Sequence, residues 1–391
     1  MKKNVLFSAS LFHALNDVAT VIVPMAFPLL YSQQFIIHRY SHIGILSNLG
    51  LLTTIFFQLI LASVSNRFEY KLMLLLSSLG ICLSLVLIPF SSSFALLLFF
   101  YLLMRVFTSV YHPIGVAWVS KTHLAEGIDF AIGVQSGSGN FGVFVAFLSA
   151  GYIAQRFGWK QPLFIWAAVA FALGTASFLA VRKTSSKIEG LQILNYSSWV
   201  KTAKKIKKYI LGFSYGGAGW ATTIYFAPSL LHHKFHVSMG QTGLYLAFFM
   251  GIGTIVSYLF GTLSRHLGRY KICLISLLGS SLSLLLIGLA NRKEIAVTAL
   301  FIFGAFLFLV YPVFQSFIGS EVEERNQAQA FSLASNSQML SGAIISLGAG
   351  FLSDKYGIKS PFLLAGFLGL PTFLFYVINK VKSVCTSDFS A

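Results

Sequence analysis

Asp17 and Arg105 are the only Asp, Glu, Lys or Arg that fall in the interior, rather than at the ends, of twelve apolar membrane-length segments. A charge at the bilayer centre costs about 2.5–3.5 kcal/mol on insertion scales, so residues kept there tend to carry function. The first segment reads FHALNDVATVIVPMAFPLL. At helical spacing, His13, Asn16, Asp17 and Thr20 share one face of it, which should look into a bundle rather than into lipid. The fourth segment reads RVFTSVYHPIG, with Arg105, Thr108, Ser109 and His112 on one stripe. The two helices enter from opposite sides, and both charges sit a little over three turns in, at similar depth. Two chemistries fit. One is a structural ion pair joining the helices. The other is a carboxyl that binds and releases a proton, with Arg105 holding an anionic substrate group or regulating Asp17. Burial favours a neutral acid and a nearby cation favours the carboxylate, so conformation can set proton affinity. His13 and His112 are further proton-relay candidates, because imidazole titrates near neutral pH. Their separation in sequence gives no basis for a metal site, and no cofactor motif is present.

The elements that position these residues follow from composition. Of 391 residues, 56% are hydrophobic and only 10% charged, and the mean hydropathy is +0.77. That excludes an ordinary soluble domain. The apolar stretches are continuous rather than alternating, which argues for helices and against a β-barrel. The expected spans are 4–31, 41–65, 71–91, 93–120, 129–155, 161–181, 209–231, 239–264, 271–290, 295–319, 327–353 and 361–379. The first continues past Pro24 and Pro28 without a small-residue cleavage site and reads as an uncleaved helix. The expected organisation is a six-helix bundle over 1–181, a basic cytoplasmic linker over 182–208 and a second six-helix bundle over 209–391.

The net charge of +17 is spread over loops flanking the spans, which excludes nucleic acid as the partner. Nineteen Lys and Arg fall on the side of the N-terminus and eight on the other. This bias places both termini in the cytoplasm. In the linker, Trp199, Ala203, Ile206 and Ile210 lie opposite Lys201, Lys204, Lys205, Lys207 and Lys208. Such a segment suits either the anionic inner leaflet or a solvated linker. Cys82, Cys273 and Cys385 show neither disulfide nor metal spacing.

Internal repeats are pronounced. Leu75–Pro89 overlays Leu274–Gly288 without gaps at an offset of 199. A short loop pattern recurs four times: ASVSNRFEYK from Ala62, GYIAQRFGWK from Gly151, GTLSRHLGRY from Gly261 and GFLSDKYGIK from Gly350. Four copies in two pairs imply two pseudo-symmetric bundles, each of two inverted three-helix repeats. Pro113 and Pro312 occupy equivalent helices and are expected to mark kinks. Gly133, Gly137, Gly139 and Gly142 in the fifth segment should allow close helix packing.

On these residues the chain resembles the major facilitator superfamily over its full length. The superfamily's loop signature is met by Gly350, Asp354, Lys355, Gly357 and Lys359. In the first copy Ala62, Asn66 and Glu69 replace Gly, Asp and Gly, while Arg67 and Lys71 remain. Three segments resemble motifs of fosmidomycin-resistance-type exporters: His13-Ala14-Leu15-Asn16-Asp17, Val110-Tyr111-His112-Pro113 and Gly139-Asn140-Phe141-Gly142. Arg105 and Ile114 depart from that family's pattern.

The resemblance implies a multi-pass, monomeric antiporter of the bacterial inner membrane. It would couple efflux of a small amphipathic or anionic organic compound to protons, with lipids as its other partners. Candidate substrate contacts are Asn16, Arg105, Tyr111, Gln135, Asn140, Trp220, Tyr225, Tyr245, Tyr311, Gln315 and Asn336. No Walker-type phosphate loop appears, and the polar residues are too scattered for a membrane enzyme. An importer or facilitator of a metabolite or siderophore-like solute, or a transport-dead membrane sensor, are the rival readings.

Overall fold

The computed structural model describes residues 2–34, 36–64, 68–122, 125–184 and 196–379, and among them regular structure is helical throughout. Fourteen α-helices follow in order: α1 (Lys2–Ile22), α2 (Phe27–Ser32), α3 (Tyr40–Val64), α4 (Tyr70–Leu87), α5 (Phe94–Thr108), α6 (Tyr111–Thr122), α7 (Ala125–Phe157) and α8 (Lys160–Val181). The second series is α9 (Tyr196–Ser229), α10 (Met239–Leu267), α11 (Arg269–Leu289), α12 (Lys293–Glu321), α13 (Glu324–Tyr356) and α14 (Ser360–Asn379). Joining α1 to α2 and α5 to α6 as single broken spans gives the twelve transmembrane helices expected.

Both breaks have a proline cause. Pro24 opens a three-residue 3₁₀ turn and Pro28 sits in the first turn of α2, where a missing N–H costs nothing. Pro113 cannot donate to the Ser109 carbonyl and its ring crowds that group, so the helix stops at Thr108 and restarts at Tyr111. Pro312, at the equivalent position, leaves α12 continuous.

Among the described residues, ten segments are long and apolar enough to cross a membrane by length and hydropathy alone. The long helices outside that set are α9, which begins in a lysine-rich stretch, and α13, which opens on ERNQAQ and carries SNSQ mid-way. The basic segment is no separate surface helix. From Tyr196 it runs unbroken into α9, and Thr202, Ile206 and Tyr209 are buried. Of the apolar stripe, Ile206 and the partly buried Ile210 pack in the cluster that holds Phe314, Phe317 and Tyr376, and Lys208 pairs with Glu321 at 2.9 Å.

The chain divides into two compact units. The first comprises Met1–His42, Leu49–Ile193 and His236–Ala247, and the second Ile43–Asn48, Leu194–Phe235 and Phe248–Ala391. In the first unit α1 packs against α6, α7 and α8, and α4 against α5 and α8. In the second, α9 packs along α13, and α11 lies between α12 and α14.

Three of the four repeated loops share one backbone device. Gly158, Gly268 and Gly357 stand at the same place in their copies, with φ of 85°, 78° and 84°. Only glycine reaches such angles without strain. The first copy has Glu69 there, at φ −72°, so its turn differs in conformation as well as sequence.

Candidate functional site

The polar centre of the first unit is built where α1, α6 and α7 meet. On α1, His13 and Asn16 are buried and Asp17 is one-fifth exposed. The i, i+4 spacing brings His13 Nε2 to 3.2 Å from Asp17 Oδ2. Asn16 Nδ2 donates to Asp17 Oδ1 at 3.2 Å. The break before Pro113 turns the start of α6 toward α1, and His112 Nε2 lies 3.8 Å from Asp17 Oδ1. Asp17 is therefore faced by two imidazoles and one amide.

Tyr111 stacks on the His13 ring at 4.5 Å, and His112 meets the same ring edge-on at 5.4 Å. From α7, Gln135 reaches both elements. Its backbone carbonyl and its Nε2 each lie 2.8 Å from His13 Nδ1, and Nε2 donates to the Tyr111 hydroxyl at 2.7 Å. Gly139, one turn on, provides the clearance: a Cβ there would stand 2.5 Å from Asp17 Oδ2 and 2.9 Å from His13 Nε2. At Gly142 a Cβ would meet the Ala14 backbone at 2.7 Å, so this glycine sets the α1–α7 approach.

Three expected members of the centre stand elsewhere. Arg105 is buried on α5, but among the described residues it makes no ion pair with Asp17. Its Nε donates to the Gly50 carbonyl of α3 at 3.2 Å, and Nη1 is buried without an acceptor. Thr20 donates back to the Asp17 carbonyl at 2.7 Å. Asn140 is half-buried on α7 and makes no side-chain hydrogen bond among the described residues.

The aromatic and amide residues of the second series stand on α9, α10, α12 and α13. Trp220 packs against Phe249 and Phe308. The Tyr311 hydroxyl donates to the Gly216 carbonyl at 3.0 Å. Tyr225 is buried on α9, Gln315 is exposed on α12 and Asn336 is half-buried on α13. Tyr245, on α10, groups with the first unit.

Of the loop signature, Arg67 lies outside the described residues. Lys71 donates to the Arg182 and Thr184 carbonyls, both at 2.9 Å, and pairs with Glu69 at 3.0 Å. It thereby ties α4 to the exposed carbonyls past the end of α8, a role for the signature cation that spacing does not disclose. Gly350 lies in α13, Asp354 and Lys355 are in its last turn, and Gly357 caps it.

His13, Asp17 and His112 each offer one ligand atom, all within 4.8 Å of one another, so the same centre has the geometry to hold a cation. Tyr111 and Gln135 are the residues that orient it.

Comparison with known proteins places this centre in a known scaffold. The superposition on a bacterial homologue of the human lysosomal transporter Spinster, in an inward-facing and occupied conformation, has a TM-score of 0.82 at 14% identity over 96% of both chains. A D-xylose–proton symporter gives 0.79 at 14% identity, over 95% of this chain and 96% of the other. A point mutant of the nucleoside transporter NupG gives 0.77 at 12%, over 96% and 99%. No curated protein matches significantly in sequence. The sequence model described as Major Facilitator Superfamily matches residues 8–346 and 219–384. With that match spanning most of its length and the twelve-helix fold in place, the chain belongs to the major facilitator superfamily.

Proposed function

We propose that this membrane transporter exports a small amphipathic or anionic organic compound in exchange for protons, as the fosmidomycin-resistance-type motifs imply. Residence in a bacterial inner membrane with both termini cytoplasmic belongs to the same reading, as does action as a monomer. The observation that carries it is the Asp17 carboxylate deep in a span, held by His13, His112 and Asn16 and still one-fifth exposed. An acid with two titratable neighbours can take up a proton and lose it again as access alternates. Protonation of Asp17 would release both imidazoles and loosen α6 from α1 across the Pro113 break. Arg105 belongs to the substrate or regulatory side of this cycle rather than to a salt bridge with Asp17.

Proton flux in inverted membrane vesicles tests the reading. A pH-sensitive dye reports the gradient while antibiotics, phosphonates and organic acids are added in turn. Dissipation by one compound in wild type and its loss in Asp17→Asn are expected. Full uphill transport by the mutant would remove Asp17 from coupling.

A further inference from the structure

The coupling centre also has the donors and the space of a metal site. We infer that His13, Asp17 and His112 bind a divalent first-row transition-metal ion, with water or substrate completing the coordination. Two imidazoles and a carboxylate form a donor set typical of such ions. In a tetrahedral site with bonds of about 2.0–2.1 Å, neighbouring ligand atoms stand about 3.3 Å apart. Here His13 Nε2 stands 3.2 Å from Asp17 Oδ2 and His112 Nε2 3.8 Å from the other carboxylate oxygen, Oδ1, and with one ligand atom from each residue no pair exceeds 4.8 Å. Small side-chain rotations close the set.

Three further features prepare the centre. The Gln135 backbone carbonyl and its side-chain Nε2 both lie 2.8 Å from His13 Nδ1, so α7 engages Nδ1 and holds the ring with Nε2 toward Asp17. His13 Nε2 is buried with Asp17 Oδ2 3.2 Å away, in a geometry short of a well-formed hydrogen bond. A proton needs a straight N–H···O line to bridge that gap, whereas an ion sits off the line along both lone pairs. Gly139 leaves open the volume beside both atoms that any Cβ would fill.

The opposing charge is Arg105, close enough to act on His112 electrostatically. It favours a site that gives up its ion readily over a closed structural one. The inference does not depend on what is exported or in which direction.

Purified full-length protein, stripped of metal and titrated with Co²⁺ and then Zn²⁺, provides the test. Wild type should bind one Co²⁺ with the visible absorption of a low-coordinate site, displaced by Zn²⁺. Asp17→Asn and His112→Ala should each weaken binding by at least about 100-fold. His266→Ala, at an exposed position in the last turn of α10, should leave it unchanged. Absence of a Co²⁺ spectrum at millimolar metal would overturn the inference, as would binding that Asp17→Asn and His112→Ala leave intact. Dye flux in EDTA-treated vesicles separates the two readings. Flux without metal binding leaves transport standing alone, and metal binding without flux leaves the ion site alone.

Discussion

Three glycines of α7 receive the same substitution, Gly→Ala, and should respond in three different ways. At Gly133 an added Cβ meets nothing within 4 Å, so only helix propensity acts. That gain is about 0.5–1 kcal/mol. At Gly139 the Cβ would lie 2.5 Å from Asp17 Oδ2, 2.8 Å from His13 Cε1 and 2.9 Å from His13 Nε2. These are ends of side chains, so they yield: the carboxylate must withdraw by roughly 1 Å to reach ordinary contact. Overpacking costs about 1–3 kcal/mol, of which propensity returns a part, so the fold should survive. The coupling centre should not, because the displaced atoms are the ones that face each other across 3.2 Å. At Gly142 the obstacle is Ala14 backbone, with contacts of 2.7, 2.9 and 3.0 Å, which no rotamer relieves. Unfolding temperature and vesicle proton flux, measured together, check the series. Gly133→Ala should be at least as stable as wild type with normal flux, Gly139→Ala folded but uncoupled, and Gly142→Ala poorly folded. Normal flux in a folded Gly139→Ala protein would refute the claim that this clearance serves the centre.

Other substitutions probe the loops and the placement of Arg105. Gly357→Ala should destabilise by about 1–3 kcal/mol, because φ 84° with ψ 166° is a glycine-only conformation. Glu69→Gly, at φ −72°, should bring no gain and should remove the Lys71 ion pair; chemical denaturation of the two variants compares them. Lys234, at the extramembrane end of the π-turn that follows α9, has its ammonium pKa lowered by burial first and by Lys359 second. Stability should therefore rise with pH from the folded pKa of Lys234 up to the unfolded value near 10.4. Lys359→Gln removes the second cause, so it should stabilise the protein at neutral pH and lose that advantage above the unfolded value, as melting curves across pH would show. A double-mutant cycle between Asp17→Asn and Arg105→Gln should show coupling no greater than about 0.5 kcal/mol, whereas Asp17→Asn with His13→Ala should couple by more. Strong coupling in the first cycle would restore the Asp17–Arg105 pair.

What the sequence discloses and what it hides differ for reasons visible at Asp17. Spacing on α1 placed His13, Asn16 and Asp17 on one face, and an i, i+4 pair on a helix must meet, so this contact was legible. Pro113 was legible too, but only as a kink. That it breaks the helix, and so swings His112 onto Asp17, depends on α1 lying alongside α6, a tertiary fact. The fate of Arg105 was hidden for the opposite reason. Depth along a helix follows from counting residues, and counting sets Arg105 level with Asp17. Azimuth follows from packing, and Gly50 decides it: with no side chain there, Arg105 Cγ and the Tyr101 ring lie against the α3 backbone, whose carbonyl accepts from Nε. A backbone acceptor carries no letter in a sequence. The glycines of α7 mark the middle case. Their clustering announced close packing, yet only the geometry separates Gly142, which admits the α1 backbone, from Gly139, which keeps room for a carboxylate and an imidazole.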